Sequence, residues 1–79
     1  MELSGFSLLA LKALNKTPEQ RGDIVSLLKE RVPNVSMEEA GQAGRELNRN
    51  GYLASYKEGK RVISAALNKK GIDYPKGSF

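Results

Sequence analysis

The sequence predicts a small α+β domain in which three helices are followed by a two-stranded antiparallel β-hairpin. Apolar residues recur at helical spacing in three segments before residue 50, which indicates a helix bundle. Gly51 ends the last of these segments, as glycine commonly does after a helix. Beyond it, Ile63, Ala65 and Leu67 alternate toward one face, which is the period of a strand with one buried side.

The length of 79 residues fits one domain with one hydrophobic core. We expect a single domain over residues 1–79, with its core between about residue 4 and residue 74 and a flexible tail over residues 75–79. Its stability should be modest, because a chain of this size buries only about 60% of its unfolded surface.

Cysteine and histidine are both absent from the chain. Their absence excludes disulfides, zinc sites built from these ligands, thiol catalysis and Ser-His relays. The sequence also lacks the glycine-rich phosphate loops G-x-x-x-x-G-K-[ST] and G-x-G-x-x-G. We therefore expect no enzyme activity, no metal, no cofactor and no small-molecule substrate.

The longest apolar run, from Leu8 to Leu14, is interrupted by Lys12 and is too short to span a bilayer. Glu2 stands where a signal peptide would need positive charge. We expect a cytoplasmic protein that does not interact with membranes.

The net charge of +4 is concentrated in the second half of the chain. Residues 1–40 contain five basic and six acidic side chains, whereas residues 41–79 contain eight basic and three acidic ones. A basic field on one side of a small domain attracts a polyanion. The simpler alternative is a small basic domain that binds nothing acidic.

The first helix is predicted from Ser4, a suitable N-cap, to Asn15. Leu8 falls on its polar side, where it is either an ordinary exposed leucine or a contact to a partner. The expected buried stripe consists of Phe6, Leu9, Ala10, Ala13 and Leu14.

The second helix is predicted to begin at Thr17, because threonine can cap it, Pro18 suits the first helical position and Gln20 completes a capping-box pattern. Pro33 should end it, since proline disfavours helical geometry in the residue before it. The expected buried stripe consists of Ile24, Leu27, Leu28 and Val32.

Ser36 and Glu39 form a second capping-box pattern and predict the start of the third helix, which should end at Gly51. Gly41 and Gly44 each cost about 1 kcal/mol relative to alanine inside a helix, so a compensating contact is expected. A close helix-helix approach at Gly44 is the natural candidate. The expected buried stripe consists of Met37, Ala40, Ala43, Gly44 and Leu47.

The hairpin strands are predicted over Tyr52–Lys57 and Arg61–Leu67. They should be joined by a turn at Gly59, where glycine tolerates the positive φ of such turns. Asn68 is expected to cap a last short turn that ends at Tyr74.

Two segments resemble motifs of a known family. Leu47–Leu53 reads Leu-Asn-Arg-Asn-Gly-Tyr-Leu, and Leu67–Gly71 reads Leu-Asn-Lys-Lys-Gly. They resemble the step after the recognition helix and the Leu-Thr-x-Lys-Gly segment after the wing in winged-helix transcription regulators of the MarR and PadR type. The resemblance covers about Thr17 to Tyr74. It implies a winged helix-turn-helix, with the hairpin as its wing, and binding to duplex DNA.

Those regulators carry additional dimerisation helices and often a ligand or metal sensor, which this sequence does not match. In size the chain is more similar to the small winged-helix proteins of phages and mobile elements, such as excisionases and small repressors. The resemblance therefore implies a small transcriptional regulator or a recombination accessory factor.

On the third helix, Gln42, Arg45 and Arg49 lie opposite the expected buried stripe. Arginine can make a paired contact to guanine and glutamine to adenine, so these side chains are candidates for reading bases in the major groove. A merely solvated helix face is the alternative, and Glu38 would repel phosphate. The expected DNA-binding residues are Ser36, Gln42, Arg45, Arg49, Lys57, Lys60 and Arg61.

In the hairpin, Lys57, Lys60 and Arg61 flank the turn and should contact phosphates, which position a protein without reading sequence. Lys69 and Lys70 are weaker candidates, because simple exposure accounts for them.

Two functions stay open at this stage. The first is sequence-specific binding to double-stranded DNA, with the third helix in the major groove and the hairpin on the backbone. The second is a protein-protein interaction module, such as an inhibitor or antirepressor of another regulator or enzyme, with a homodimer or a protein partner held through Leu8. Tyr56 is compatible with base stacking or with packing.

Overall fold

A computed structural model describes the backbone of residues 5–78 and the side chains of residues 5–74. Within that range the chain forms four α-helices and a three-stranded antiparallel sheet, which makes it an α+β protein. The elements are α1 Gly5–Asn15, β1 Arg21–Asp23, α2 Ile24–Arg31, α3 Met37–Arg49, β2 Leu53–Glu58, β3 Ile63–Leu67 and α4 Lys69–Ser78. None of the helices in residues 5–78 combines the length and apolar character needed to cross a membrane.

Helix α1 lies at the centre of the molecule and contacts α2, α3, α4 and β3. Its extent confirms the prediction, although the expected cap Ser4 lies outside the described residues. Its buried residues are Ser7, Ala10, Leu11 and Leu14. The expected stripe was therefore wrong in part, since Phe6, Leu9 and Ala13 are only half-buried. Leu8 is half-buried and packs against the core, so the prediction of an exposed leucine was wrong.

The segment after α1 differs most from the sequence prediction. Pro18–Gln20 forms a single 3-10 turn rather than the start of a long helix, because Glu19 and Gln20 have φ values of 63° and 50°. The Thr17 hydroxyl donates a hydrogen bond back to the carbonyl of Leu14 at 2.7 Å instead of capping a helix. Left-handed backbone at two consecutive residues cannot continue a right-handed helix, so the predicted start was wrong.

Asp23 takes the capping role that the sequence suggested for Thr17. Its Oδ1 accepts hydrogen bonds from the backbone N–H of Val25 at 3.0 Å and of Ile63 at 2.9 Å. One carboxylate thus caps α2 and fixes the start of β3. Asp23 is also the last residue of β1, which pairs with β3, so the expectation of only two strands was wrong.

The start of α3 follows the prediction closely. The backbone N–H of Ser36 donates to Oε1 of Glu39 at 2.9 Å, and the Glu39 N–H donates to the Ser36 hydroxyl at 3.1 Å. This reciprocal capping box satisfies two donors at once. Met37 is 37% exposed, which corrects its assignment to the buried stripe, since it precedes the first full turn that reaches the core.

The strand order is β1-β3-β2, with antiparallel pairing throughout. Tyr56 lies opposite Ala65, and Lys57 lies opposite Ser64. The hairpin closes through a wider loop than expected, in which the Gly59 N–H donates to the Val62 carbonyl at 2.7 Å. Gly59 does not adopt a positive φ, so the predicted tight turn was wrong.

The core fills the space between the helices and one face of the sheet. Its alternating strand residues Ile63, Ala65 and Leu67 are buried as predicted. The largest fully buried side chains are Leu11, Leu14, Ile24, Leu28, Leu47 and Ile63.

The end of α3 is closed by contacts from α4. Gly51 has a φ of +79°, which confirms its role as the residue that ends the helix. Lys70 donates from Nζ to the Asn50 carbonyl at 2.9 Å, and Nζ lies 4.7 Å from the centre of the Tyr52 ring. Lys70 therefore neutralises the negative end of α3, which gives it a structural role.

Asn68 caps α4 as predicted, since its Oδ1 accepts from the Gly71 N–H at 2.9 Å. The amide of Asn68 also donates to the Gly51 carbonyl at 2.7 Å, which ties α4 to the end of α3. The helix continues to Ser78 instead of ending at Tyr74, so the predicted short turn was too short.

Candidate nucleic-acid interface

The exposed side of α3 brings the three predicted base-reading residues together. Gln42, Arg45 and Arg49 are all exposed and, with Glu46, line one shallow depression on the surface. Their spacing of three and four positions places them on adjacent turns of one helix face. That face lies opposite the buried residues Ala40, Ala43 and Leu47.

Ser36 lies at the start of α3, and its hydroxyl is used by the capping box. Two carboxylates occupy the first turn that follows, at Glu38 and Glu39. Glu39 is bound to the Ser36 backbone, whereas Glu38 is exposed. This end of the helix is therefore acidic, and the positive charge of α3 lies at Arg45 and Arg49.

The three predicted phosphate contacts of the hairpin are all exposed, but they do not share one face. Lys60 and Arg61 are in the loop between the strands. Lys57 pairs across the ladder with Ser64, so it points to the opposite face of the sheet from its neighbours Tyr56 and Glu58. The structure thus places Lys57 apart from the exposed face of α3.

Arg45 forms an ion pair with a residue that the sequence analysis did not single out. Its Nε lies 3.2 Å from Oε2 of Glu58 in β2, and its Nη2 lies 3.2 Å from Oε1. Both side chains stay accessible, at 56% for Arg45 and 38% for Glu58. Hydrogen bonds from the guanidinium lower the pKa of Glu58, and the same contact raises the pKa of Arg45.

Tyr56 packs beside this ion pair, on the backbone of α3. Its hydroxyl donates a hydrogen bond to the Gly41 carbonyl at 3.4 Å, and its ring covers Gly44. Desolvation of the phenol, together with the nearby Glu58 carboxylate, raises the pKa of Tyr56 to about 12. The packing alternative is therefore the one that the structure supports for Tyr56.

The same contact accounts for the two glycines in α3. A Cβ added at Gly44 would lie 2.5 Å from Cε1 of Tyr56, and one at Gly41 would lie 2.9 Å from Nη2 of Arg45. The close approach at Gly44 is thus made by a strand, which corrects the expectation of a helix-helix contact. We refer to the five residues Gly41, Gly44, Arg45, Tyr56 and Glu58 as the helix-hairpin joint.

A signal for the joint was present in the sequence. Tyr56 and Glu58 are two positions apart in a strand, so they share a face, and that face is the one directed at the glycines of α3. Residue spacing alone does not show which helix a strand face meets, so the pairing with Arg45 required the fold.

Comparison of the chain with protein-family models, with curated proteins and with solved structures found no match. Within residues 5–78 there is also no group of three acidic side chains arranged to hold a metal ion. The exposed face of α3 and the charged hairpin loop are therefore the features of the described residues that bear on function.

Proposed function

We propose that this protein binds duplex DNA as a winged helix, with α3 in the major groove and the hairpin on the sugar-phosphate backbone. The observation that carries the proposal is the exposed face of α3. It presents Gln42, Arg45 and Arg49 side by side, next to a hairpin whose loop carries Lys60 and Arg61. Arginine and glutamine are the side chains that pair with guanine and adenine edges in the major groove.

The order of elements supports this arrangement. Two consecutive helices, α2 and α3, are joined by a short turn and followed directly by the β2-β3 hairpin, which is the order that the resemblance to winged helices implies. The strand β1 pairs with β3 on the side away from β2 and reaches Ser64, so one further β2-β3 pair, Glu58 with Ile63, lies between β1 and the hairpin loop. A small α+β domain with a three-stranded antiparallel sheet is compatible with a winged-helix-like fold.

The dimensions of α3 are suitable for the groove. Its 13 residues span about 20 Å, and the B-DNA major groove is about 12 Å wide, which admits one helix. The residues that contact bases would lie in the middle and last turns of α3. The acidic first turn, with Glu38, would lie away from the phosphates.

The charge distribution sets the expected strength of binding. Arg49, Lys60 and Arg61 are exposed cations that can reach phosphates, while Glu38 and Glu58 oppose them. We expect about three to five phosphate contacts, so the logarithm of the association constant should fall with the logarithm of salt concentration with a slope of about −3 to −5.

A fluorescence anisotropy titration with a labelled duplex, repeated at several salt concentrations, tests the proposal. Tight binding at low salt that weakens steeply as salt rises is the expected result. Single-stranded DNA of the same sequence serves as a control for the duplex geometry. Affinity that does not respond to salt, or an absence of binding to any duplex at low salt, would refute the proposal.

Two substitutions separate base reading from backbone contact. Arg45→Ala should reduce the preference for the protein's best duplex sequence over other sequences by about 1 to 3 kcal/mol, because a paired arginine-guanine contact is lost. Lys60→Ala should weaken binding to all duplexes alike and reduce the salt slope by about 1. Equal behaviour of both variants on every duplex would show that these roles are wrong.

A further inference from the structure

The guanidinium of Arg45 offers two edges, and the ion pair uses only one of them. All three hydrogen bonds to Glu58 come from Nε and Nη2, at 3.4, 3.2 and 3.2 Å. Nη1 takes part in none of them. The edge formed by Nη1 and the second hydrogen of Nη2 is the fork that can donate to two acceptors of one base. Glu58 therefore bonds the Nε–Nη2 edge of the guanidinium and leaves the Nη1–Nη2 edge outside the ion pair.

We propose that Glu58 is a positioning residue for sequence recognition. It holds Arg45 from the side and leaves the Nη1–Nη2 edge outside the ion pair, where it can donate to O6 and N7 of a guanine. The inference rests on the proposed binding of DNA and deepens it, because it assigns the guanine preference to a residue that does not itself touch the base.

Glu58 can act in this way because the hairpin is fixed against α3. A Cβ at Gly41 would lie 2.9 Å from Nη2 of Arg45 and 3.2 Å from Oε1 of Glu58. The ion pair thus rests directly on the helix backbone, one turn before Arg45. Tyr56, two residues before Glu58, holds β2 against α3. Its ring packs on Gly44, and its hydroxyl donates to the Gly41 carbonyl.

A carboxylate in this position affects affinity and specificity in opposite directions. Its charge repels phosphate, so Glu58 should weaken binding to every duplex. Its hydrogen bonds restrict the rotamers of Arg45 before binding, so less side-chain freedom is lost when the guanine contact forms. A residue retained only for stability would not change the ratio of affinities for two duplexes, and this ratio is the quantity to measure.

The experiment begins with selection of a preferred duplex from a random library by the unmodified protein. Dissociation constants are then measured for the selected duplex and for one in which the guanine sensitive to Arg45→Ala is replaced. We define discrimination as the ratio of these two constants. The variants are Glu58→Ala, Arg45→Ala and the double variant, and circular dichroism of each confirms that it is folded.

Glu38→Ala is the matched control. Glu38 is an exposed carboxylate in the first turn of α3, so this variant removes the same charge as Glu58→Ala, whereas the hydrogen bonds of the Arg45 guanidinium go to Glu58. Glu38→Ala should tighten binding to both duplexes and leave discrimination unchanged. Glu58→Gln keeps one acceptor for Arg45, so it should restore part of the discrimination that Glu58→Ala loses.

We expect Arg45→Ala to lower discrimination about tenfold, and Glu58→Ala to lower it about threefold while binding to the mismatched duplex becomes tighter. In the Arg45→Ala background, Glu58→Ala should have no further effect on discrimination, since the side chain that it positions is gone. Unchanged discrimination in Glu58→Ala, or an equal loss in both backgrounds, would overturn the inference.

The proposed function and the role of Glu58 can fail separately. If the unmodified protein binds no duplex at low salt, the proposed function is wrong and the inference falls with it. If the unmodified protein selects a site but no guanine in that site depends on Arg45, or Glu58→Ala behaves like Glu38→Ala, the inference alone is wrong.

Discussion

The hydrophobic core around α1 and the helix-hairpin joint differ in the kinds of residue that form them. The core consists of large aliphatic side chains, and Leu11, Leu14 and Leu28 have no exposed surface. The joint consists of two glycines, a half-buried tyrosine and an ion pair whose side chains are 56% and 38% exposed.

The core and the joint therefore affect different properties, namely the free energy of unfolding and the position of the Arg45 side chain. Burial of a leucine contributes about 1.5 to 3 kcal/mol, whereas an exposed ion pair contributes little to stability. The joint is nevertheless the only route in the described residues by which α3 and the hairpin set the direction of Arg45. The core therefore provides most of the stability, and the joint holds the guanidinium of Arg45 against β2.

The largest expected effect is in the core. Leu11→Ala should reduce the free energy of unfolding by about 3 kcal/mol, because the deleted side chain is fully buried and leaves a cavity. Urea denaturation followed by circular dichroism measures the change. Leu8→Ala, at a half-buried position of the same helix, should cost clearly less. Equal losses at both positions would show that the two faces of α1 are not distinguished as described.

The joint should respond to added volume rather than to lost volume. Gly44→Ala should destabilise the protein by about 1 to 3 kcal/mol, because the new Cβ would lie 2.5 Å from Cε1 of Tyr56. In a Tyr56→Ala background the same change should instead stabilise by about 1 kcal/mol, since alanine is the better helix former. Thermal unfolding of the unmodified protein, the two single variants and the double variant measures the effect of Gly44→Ala in each background. An effect of the same sign in both backgrounds would contradict the contact.

The smallest expected effect is the titration of Tyr56. Its pKa is raised to about 12 in the folded protein from an ordinary value of 10.0, so its contribution to stability is fully present below pH 10 and is lost as pH rises toward about 12. An absorbance titration of tyrosinate should show a late-titrating group that disappears in Tyr56→Phe. If Tyr56→Phe leaves the titration curve above pH 10 unchanged, the Tyr56 phenol is not buried beside Glu58 as described.

Elements with complete local signals could be predicted from the sequence. The capping box of Ser36 and Glu39 and the positive φ of Gly51 fixed both ends of α3, because each signal depends on residues within a few positions. The strand β1 could not be found in this way. It has three residues, too few to show a period, and its pairing with β3 joins residues as far apart as Arg21 and Ala66.

The same distinction explains the error at Thr17 and Pro18. Their local signal for a helix start is real, but the cap Asp23 lies closer to the apolar stripe of α2 and is also held by the backbone of Ile63. A contact to a distant strand thus outweighed a nearby propensity. Sequence patterns alone do not contain that information.

For the candidate site, the outward face of α3 followed from helical geometry, and Gln42, Arg45 and Arg49 do lie together. The sequence did not indicate that Arg45 is paired, since Glu58 is distant along the chain and meets it only through the docking of β2 on α3. The structural role of Lys70 was missed for the same reason, because its acceptor belongs to the end of another helix.

The most direct test of the central claim is an NMR titration of the labelled protein with a selected duplex, observed through backbone amides and arginine side chains. A groove on another side of the molecule, between α1 and α2, is lined by Ala13, Leu27 and Arg31. We predict the largest shift changes at Gln42, Arg45, Arg49 and the loop containing Lys60, with little change in that groove. Shift changes centred on that groove, with the exposed face of α3 unaffected, would contradict the account.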